Sequence, residues 1–244
     1  AYLEPTARVL YGGWQGSLSN VDLKPEKIRT YEWSLSYSKG NFSNSLNVFY
    51  NQGYDVIAGA KNIGERRMFG VEYAGKVVLN NPWSFIHRLK GDWYVSYINS
   101  EENRGDSLEW ITTGNMAPLK IKALLTAYVT RNLSISLQNR WIGEIETVKS
   151  NPIENIDAHF VADGFITYNN LFMDGFSLGI KVYNILNANY FHPGYRDASA
   201  GEDFVFDANG YLDQTIPGNG SQGWYNSRLP QPETTVMLSA RLTF

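Results

Sequence analysis

The sequence predicts an all-β protein, a transmembrane antiparallel up-and-down β-barrel, and three observations carry that expectation. Apolar residues recur at every second position over segments of about ten residues, longer than most soluble strands and long enough for a tilted strand to cross a bilayer. The links between these segments alternate short and long, as in a membrane barrel with turns on one side and loops on the other. Aromatic residues make up 14% of the 244, and they collect near the segment ends with the parity of the apolar face. A soluble core would gather them mid-strand.

Composition narrows the classes further. Lys plus Arg number 21 and Asp plus Glu 24, so there is no basic excess and nucleic acid is not an expected partner. Cysteine is absent, which excludes disulfides and thiolate metal sites. The mean hydropathy is −0.32, and no apolar run approaches the roughly 18 residues of a transmembrane helix. A barrel keeps its hydropathy low because half of each strand is polar. The chain starts at Ala1 without Met or a signal peptide, so an upstream segment removed by processing or truncation is expected.

In chain order, residues 1–26 contain two Pro and three Gly and read as an extracellular loop, in which Arg8–Tyr11 could end a strand. The first strand then sets Tyr31, Trp33, Leu35 and Tyr37 against Thr30, Glu32, Ser34 and Ser36. Lys39-Gly40-Asn41 turns the chain into Phe42, Leu46, Val48 and Tyr50. After the link 51–65, Phe69, Val71, Tyr73, Val77 and Leu79 lead to an expected turn at Asn80-Asn81-Pro82. The return strand carries Trp83, Phe85, Leu89, Trp93, Val95 and Tyr97. A charged loop at 100–116 precedes Ile121, Ala123, Leu125, Ala127 and Val129. Arg131-Asn132 then leads to Leu133, Ile135, Leu137 and Trp141. Beyond the loop 144–156 come Phe160, Ala162, Ile166 and Tyr168, the link Asn169–Gly175, and Phe176, Leu178, Ile180 and Val182. A long loop, 187–232, precedes Val236, Leu238, Ala240, Leu242 and Phe244. The count is nine strands.

Tyr37, Phe42, Trp83, Phe85, Tyr168, Phe176 and Phe244 are expected to ring the short-turn side. Tyr50, Phe69, Trp93, Tyr97, Trp141 and Phe160 would ring the loop side, as two interfacial girdles. The other face carries Glu32, Glu72, Arg88, Lys90, Asp92, Lys120, Lys122, Arg140, Asp163, Lys181 and Arg241. Charges turned to lipid cost several kcal/mol, so these must face a lumen. Cross-strand ion pairing is their plain role, and contact with a passing solute is the other.

The loop 187–232 holds Tyr190, Phe191, His192, Tyr195, Arg196, Trp224 and Tyr225. Rings offer contact area at small entropic cost, which suits ligand capture, although they could equally pack the loop on the wall. The histidines, His87, His159 and His192, show no HxxH or HExxH spacing, and there is no G-x-S-x-G or P-loop. No metal, cofactor or catalytic residue is therefore expected.

Several stretches resemble one family, the TonB-dependent outer-membrane receptors, and specifically the C-terminal part of their barrel. Asp22-Leu23-Lys24-Pro25-Glu26 leading into Tyr31-Glu32 is similar to its "L-x-P-E … Y-E" strand entry. Phe69-Gly70-Val71-Glu72 is similar to "x-G-V-E". Val182-Tyr183-Asn184-Ile185-Leu186-Asn187 with Tyr190 is similar to "V-x-N-L-x-N-x-x-Y". The closing strand ending in Phe244 is similar to its assembly signal. The resemblance implies about nine C-terminal strands of a 22-stranded barrel in a Gram-negative outer membrane. It also implies a plug domain, earlier strands and TonB contacts outside this chain. The implied function is energised import of a scarce solute, such as a siderophore, haem, cobalamin or glycan. The competing reading is a small autonomous ten-strand barrel, with Arg8–Tyr11 extended into the tenth strand, acting as a hydrolase or adhesin. For a hydrolase, Asp157 with His159 is the only hint.

Overall fold

Alternating side-chain polarity becomes a long antiparallel meander in the computed structural model, which describes residues 2–12, 19–58, 60–62, 64–103, 109–148, 151, 153–196, 208–209 and 224–243. Chain order begins with β1 (Tyr2–Leu3), one helical turn α1 (Ala7–Tyr11), β2 (Glu26–Lys39) and β3 (Phe42–Tyr54). The short pair β4 (Ile57–Ala58) and β5 (Lys61–Asn62) leads to β6 (Glu65–Trp83) and β7 (Ile86–Asn103). Next come β8 (Ile111–Thr112), β9 (Leu119–Tyr128), β10 (Leu133–Ile142), β11 (Ile145–Glu146), β12 (Asn155–Ile156) and β13 (His159–Tyr168). The last are β14 (Phe176–Tyr183), β15 (Phe191–Arg196), β16 (Trp224–Pro230) and β17 (Thr235–Leu242). The main sheet runs β1-β2-β3-β6-β7-β9-β10-β13-β14-β17, with β8 beside β7. Every long strand thus neighbours the long strand before it in sequence, as an up-and-down order requires.

Two sequence expectations are corrected. Arg8–Tyr11 is not a strand end but lies in the helical turn α1, so it cannot supply a tenth strand; β1 pairs with β2 instead, Tyr2 facing Lys27. Five residues are too few to reveal a helical period. The reversal expected at Asn80-Asn81-Pro82 falls at Ser84-Phe85, since β6 continues to Trp83. Asn81 absorbs the local signal by taking φ 48° inside the strand, a conformation Asn tolerates well. Trp83 and Phe85 then stack 6.1 Å apart.

The chain divides into two compact units: Ala1–Leu35, Leu46–Glu72 and Tyr97–Thr113 form one, and Ser36–Ser45, Tyr73–Ser96 and Gly114–Phe244 the other. In the first, Arg66 and Arg67 hold Glu102 and Glu101 at 2.9 and 2.6 Å. Arg67 also lies 4.0 Å above Trp110, and Phe49 covers Gly70 so closely that a Cβ there would overlap its ring.

In the second unit the registers settle the faces. Leu137 opposes Leu125 on β9 and Gly164 on β13, Ile166 opposes Ile180 on β14, and Ile180 opposes Leu238 on β17. This apolar face is exposed, with Leu125 48%, Ile180 44% and Leu238 75% accessible. The reverse face carries Lys120, Lys122, Arg140, Asp163, Lys181 and Arg241, and there Val161 and Asp163 are buried. Soluble proteins hide the apolar side; this sheet shows it.

The aromatic residues expected at the strand ends follow the same parity. Tyr37, Phe42, Phe69, Tyr97, Phe160 and Tyr168 are all exposed, and Trp141 lies between Ile121 and Phe160 on the apolar face. Phe176 stacks on Phe172 at 6.2 Å, a ring in the turn that periodicity did not single out. Phe244 lies outside the described residues. Trp93 covers Gly75, where an added Cβ would overlap the indole. Gly75→Ala should therefore cost about 1–2 kcal/mol through overpacking, read by urea unfolding in detergent. An unchanged midpoint would mean that the ring moves aside freely.

Candidate functional site

The ends of the long loop are joined by a hydrogen-bonded staple built from the Val182–Asn187 stretch. Asn184 turns the chain with φ 50°. Its side chain donates to the carbonyls of Ala188 and Pro232 at 2.9 and 3.2 Å and accepts from the Ala188 amide at 2.8 Å. From the other end, the Thr234 hydroxyl donates to the Asn184 carbonyl at 2.7 Å, and the Thr234 amide to Asn187 Oδ1 at 3.0 Å. Asn184→Ala should lose the side-chain bonds to Ala188 and Pro232 and strain the backbone, costing about 2 kcal/mol. Asn184→Gly keeps the φ freedom, so it should cost roughly half as much. Equal unfolding midpoints for the two would rule out the strain component.

Below the staple, Asp163 is 2% exposed. One carboxylate oxygen accepts from Arg140 Nη2 at 2.8 Å and the other from the Asn184 amide at 2.9 Å. Gln138, not Arg140, stands directly opposite Asp163. The ion pair is the diagonal neighbour that only a long side chain reaches. Lys122, directly opposite Arg140 on β9, adds a second positive charge beside it. Farther along the polar face, Arg88 lies 5.9 Å above the Tyr128 ring and Phe165 meets Tyr183 edge-on at 6.0 Å. Lys90, Asp92, Lys181 and Arg241 keep the same parity in this unit, whereas Glu32 and Glu72 belong to the first unit.

Inside the loop, β15 and β16 form a hairpin that the sequence did not reveal, with Phe191 facing Pro230 and His192 facing Leu229. It docks through a small core of Ala117, Ile145 and Ile156, against which Phe191 packs, and through Asn151 donating to the Ser227 carbonyl at 2.9 Å. Tyr190 and His192 gather with His159 at the start of β13. Ring centroids are 4.8 Å apart for His159 and Tyr190, 5.9 Å for Tyr190 and His192, and 6.2 Å for the two imidazoles. Burial, then His159 and Arg140 nearby, holds the His192 pKa below its ordinary value. An imidazole held below its ordinary value is mostly neutral at pH 7, so it offers hydrogen bonding and stacking rather than charge.

Of the seven loop residues singled out, Tyr190 and His192 therefore meet in a ring cluster and Phe191 anchors the hairpin. Tyr195 and Arg196 lie on β15 and Trp224 and Tyr225 on or beside its partner end of β16, but their side chains lie outside the described residues. The sequence reading missed Arg228, whose guanidinium sits 4.3 Å above Phe191; an isolated Arg late in a long loop carries no periodic signal. The His159 ring approaches the Asp157 carbonyl oxygen at 3.4 Å rather than the carboxylate. Among the described residues no group of three His, Cys, Asp or Glu could hold a metal.

Comparison with known proteins agrees with this architecture. Residues 1–185 match the family described as TonB dependent receptor-like, beta-barrel. No curated protein sequence matches the chain. Among solved structures, the copper transporter OprC superposes with a TM-score of 0.69 at 17% identity, covering 100% of this chain and 36% of its own. The ferric yersiniabactin uptake receptor FyuA from Yersinia pestis gives 0.64 at 18% identity, covering 91% and 31%. The ferric-catecholate import receptor Fiu from E. coli K12, in its open form, gives 0.57 at 13%, covering 89% and 26%. The chain thus spans about a quarter to a third of these structures. With its exposed apolar face, ion-paired polar face and stapled loop, it belongs to the TonB-dependent receptor family, as part of the β-barrel.

Proposed function

We propose that the chain is the C-terminal part of an outer-membrane receptor barrel in a Gram-negative bacterium, and that the barrel imports a scarce solute under TonB coupling. The observation that supports this best is the inverted polarity of the sheet: its apolar face is exposed while Asp163 and Arg140 pair on the other. Among the described residues no helix is long and apolar enough to cross a membrane; in this reading the long strands, with their exposed apolar face, make the crossing. The polar face then lines the lumen, against a plug and earlier strands supplied from outside this segment.

The structural neighbours named for copper, ferric catecholate and ferric yersiniabactin favour a metal or metal chelate over a glycan or cobalamin. The rings of His159, Tyr190 and His192 sit where the stapled loop meets the sheet, and in this reading they contact the arriving solute. Replacing Tyr190 and His192 together by Ala should lower uptake at least tenfold, about 1.4 kcal/mol of binding, with normal surface levels. The assay is whole-cell uptake from a panel of copper, ferric catecholate and ferric citrate. Undiminished uptake of whichever compound the wild type takes would remove the rings from solute capture.

A further inference from the structure

Arg228 stands on β16 opposite Pro193, in a cleft it shares with Asn155, Asp157, His159, Asn189 and Tyr190. Phe191 covers one face of its guanidinium at 4.3 Å but takes none of its N–H groups. Nε is buried and has no hydrogen-bond partner among the described residues, and Arg228 forms no ion pair with them. A guanidinium is always charged and offers five donors in a rigid fork. Buried donors left unmatched are costly, and native structures retain them chiefly where something else completes them. The ring beneath orients the fork and shields it from water, so an anion there would be bound in a medium of reduced dielectric.

The rest of the cleft says which anion. A planar carboxylate matches the fork with two parallel hydrogen bonds. Phe191 and Ile156 supply apolar wall beside it, which suits a carboxylate carried on a flat organic body. Asp157 shares the cleft, so a group bearing two negative charges meets about twice the repulsion that a single charge does. From this geometry we infer that the cleft between β12, β13 and the β15–β16 hairpin is a carboxylate subsite, in which Arg228 grips a singly charged carboxylate of the incoming solute and Asp157 excludes doubly charged groups. The inference rests on the solute-capture reading above, whose ligand class it narrows.

The test is arginine modification by phenylglyoxal in the protein purified from membranes, followed residue by residue by mass spectrometry, with the turn residue Arg131 as internal reference. Benzoate should slow modification of Arg228 several-fold while leaving Arg131 unchanged. Benzamide, its neutral isostere, and sodium chloride at the same ionic strength should protect neither, and phosphate should protect Arg228 only in Asp157→Asn. Arg228→Lys should retain heat-modifiable folding yet lose benzoate binding by calorimetry. Equal protection by chloride, or none by benzoate, overturns the subsite. Because modification needs no transport, a protein that fails every uptake assay but shows benzoate protection keeps the subsite and loses the import reading. Intact uptake without protection keeps the import reading and overturns the subsite.

Discussion

Leu238→Arg is expected to weaken membrane assembly by about 2–4 kcal/mol, while Ser239→Arg, one residue along the same strand, should be tolerated. Leu238 is 75% exposed and faces Ile180 across the ladder, whereas Ser239 faces Gly179 on the side that already carries Arg241. In the proposed barrel an arginine at 238 would stand in hydrocarbon near mid-strand, and one at 239 in the polar interior. The measurement is folding into lipid vesicles by the purified protein, scored by heat-modifiable mobility against urea. If both variants assemble equally well, the face assigned to lipid is wrong.

Asp163→Ala should destabilise the folded protein by about 3 kcal/mol. The change leaves Arg140, whose side chain is 35% exposed, without its carboxylate and the Asn184 amide without an acceptor. Partial exposure of the cation keeps the figure at the low end for a buried ion pair. The double change Arg140→Met with Asp163→Leu should recover most of the loss, since the desolvation cost of both charges disappears together. Urea unfolding in micelles resolves this. A double variant as unstable as the single one would show that the Asn184 contact, not the ion pair, dominates.

The sheet was legible because its physics is local. Strand faces alternate whatever the partner, so the parity of Leu137, Ile166, Ile180 and Leu238 already separated the exposed apolar face from the polar face before any register was known. The exposure of Tyr37, Phe42, Phe160 and Tyr168 followed from the same parity. The turn near Trp83 was misplaced because Asn81 and Pro82 are strong local signals that the strand pairing overrode. The β15–β16 hairpin escaped because Pro193 and Gly194 interrupt its alternation, and because its pairing depends on two segments nearly thirty residues apart.

The site was legible only as separate residues. Tyr190, Phe191 and His192 could be named, but the division of labour among them depends on docking: Phe191 enters the small core with Ile145 and Ile156, while its two flanking rings remain with His159. Arg140 and Asp163 were both placed on the polar face, yet their pairing is diagonal across a ladder and needs the register. Asn184 could be matched to a motif without any indication that it ties β14 to the entrance of β17.

That tie uncouples the length of the loop from the geometry of the ladder. Asn184, Asn187 and Thr234 fix the geometry at both ends of the loop with bonds of their own, so a change in the intervening length is not transmitted into the strands. Doubling a flexible loop adds only about 0.6 kcal/mol of closure entropy, less than the expected cost of losing Asn184. The part of the loop between the two hairpin strands can therefore change in length at little cost to the ladder, provided that Phe191 keeps its place against Ala117, Ile145 and Ile156.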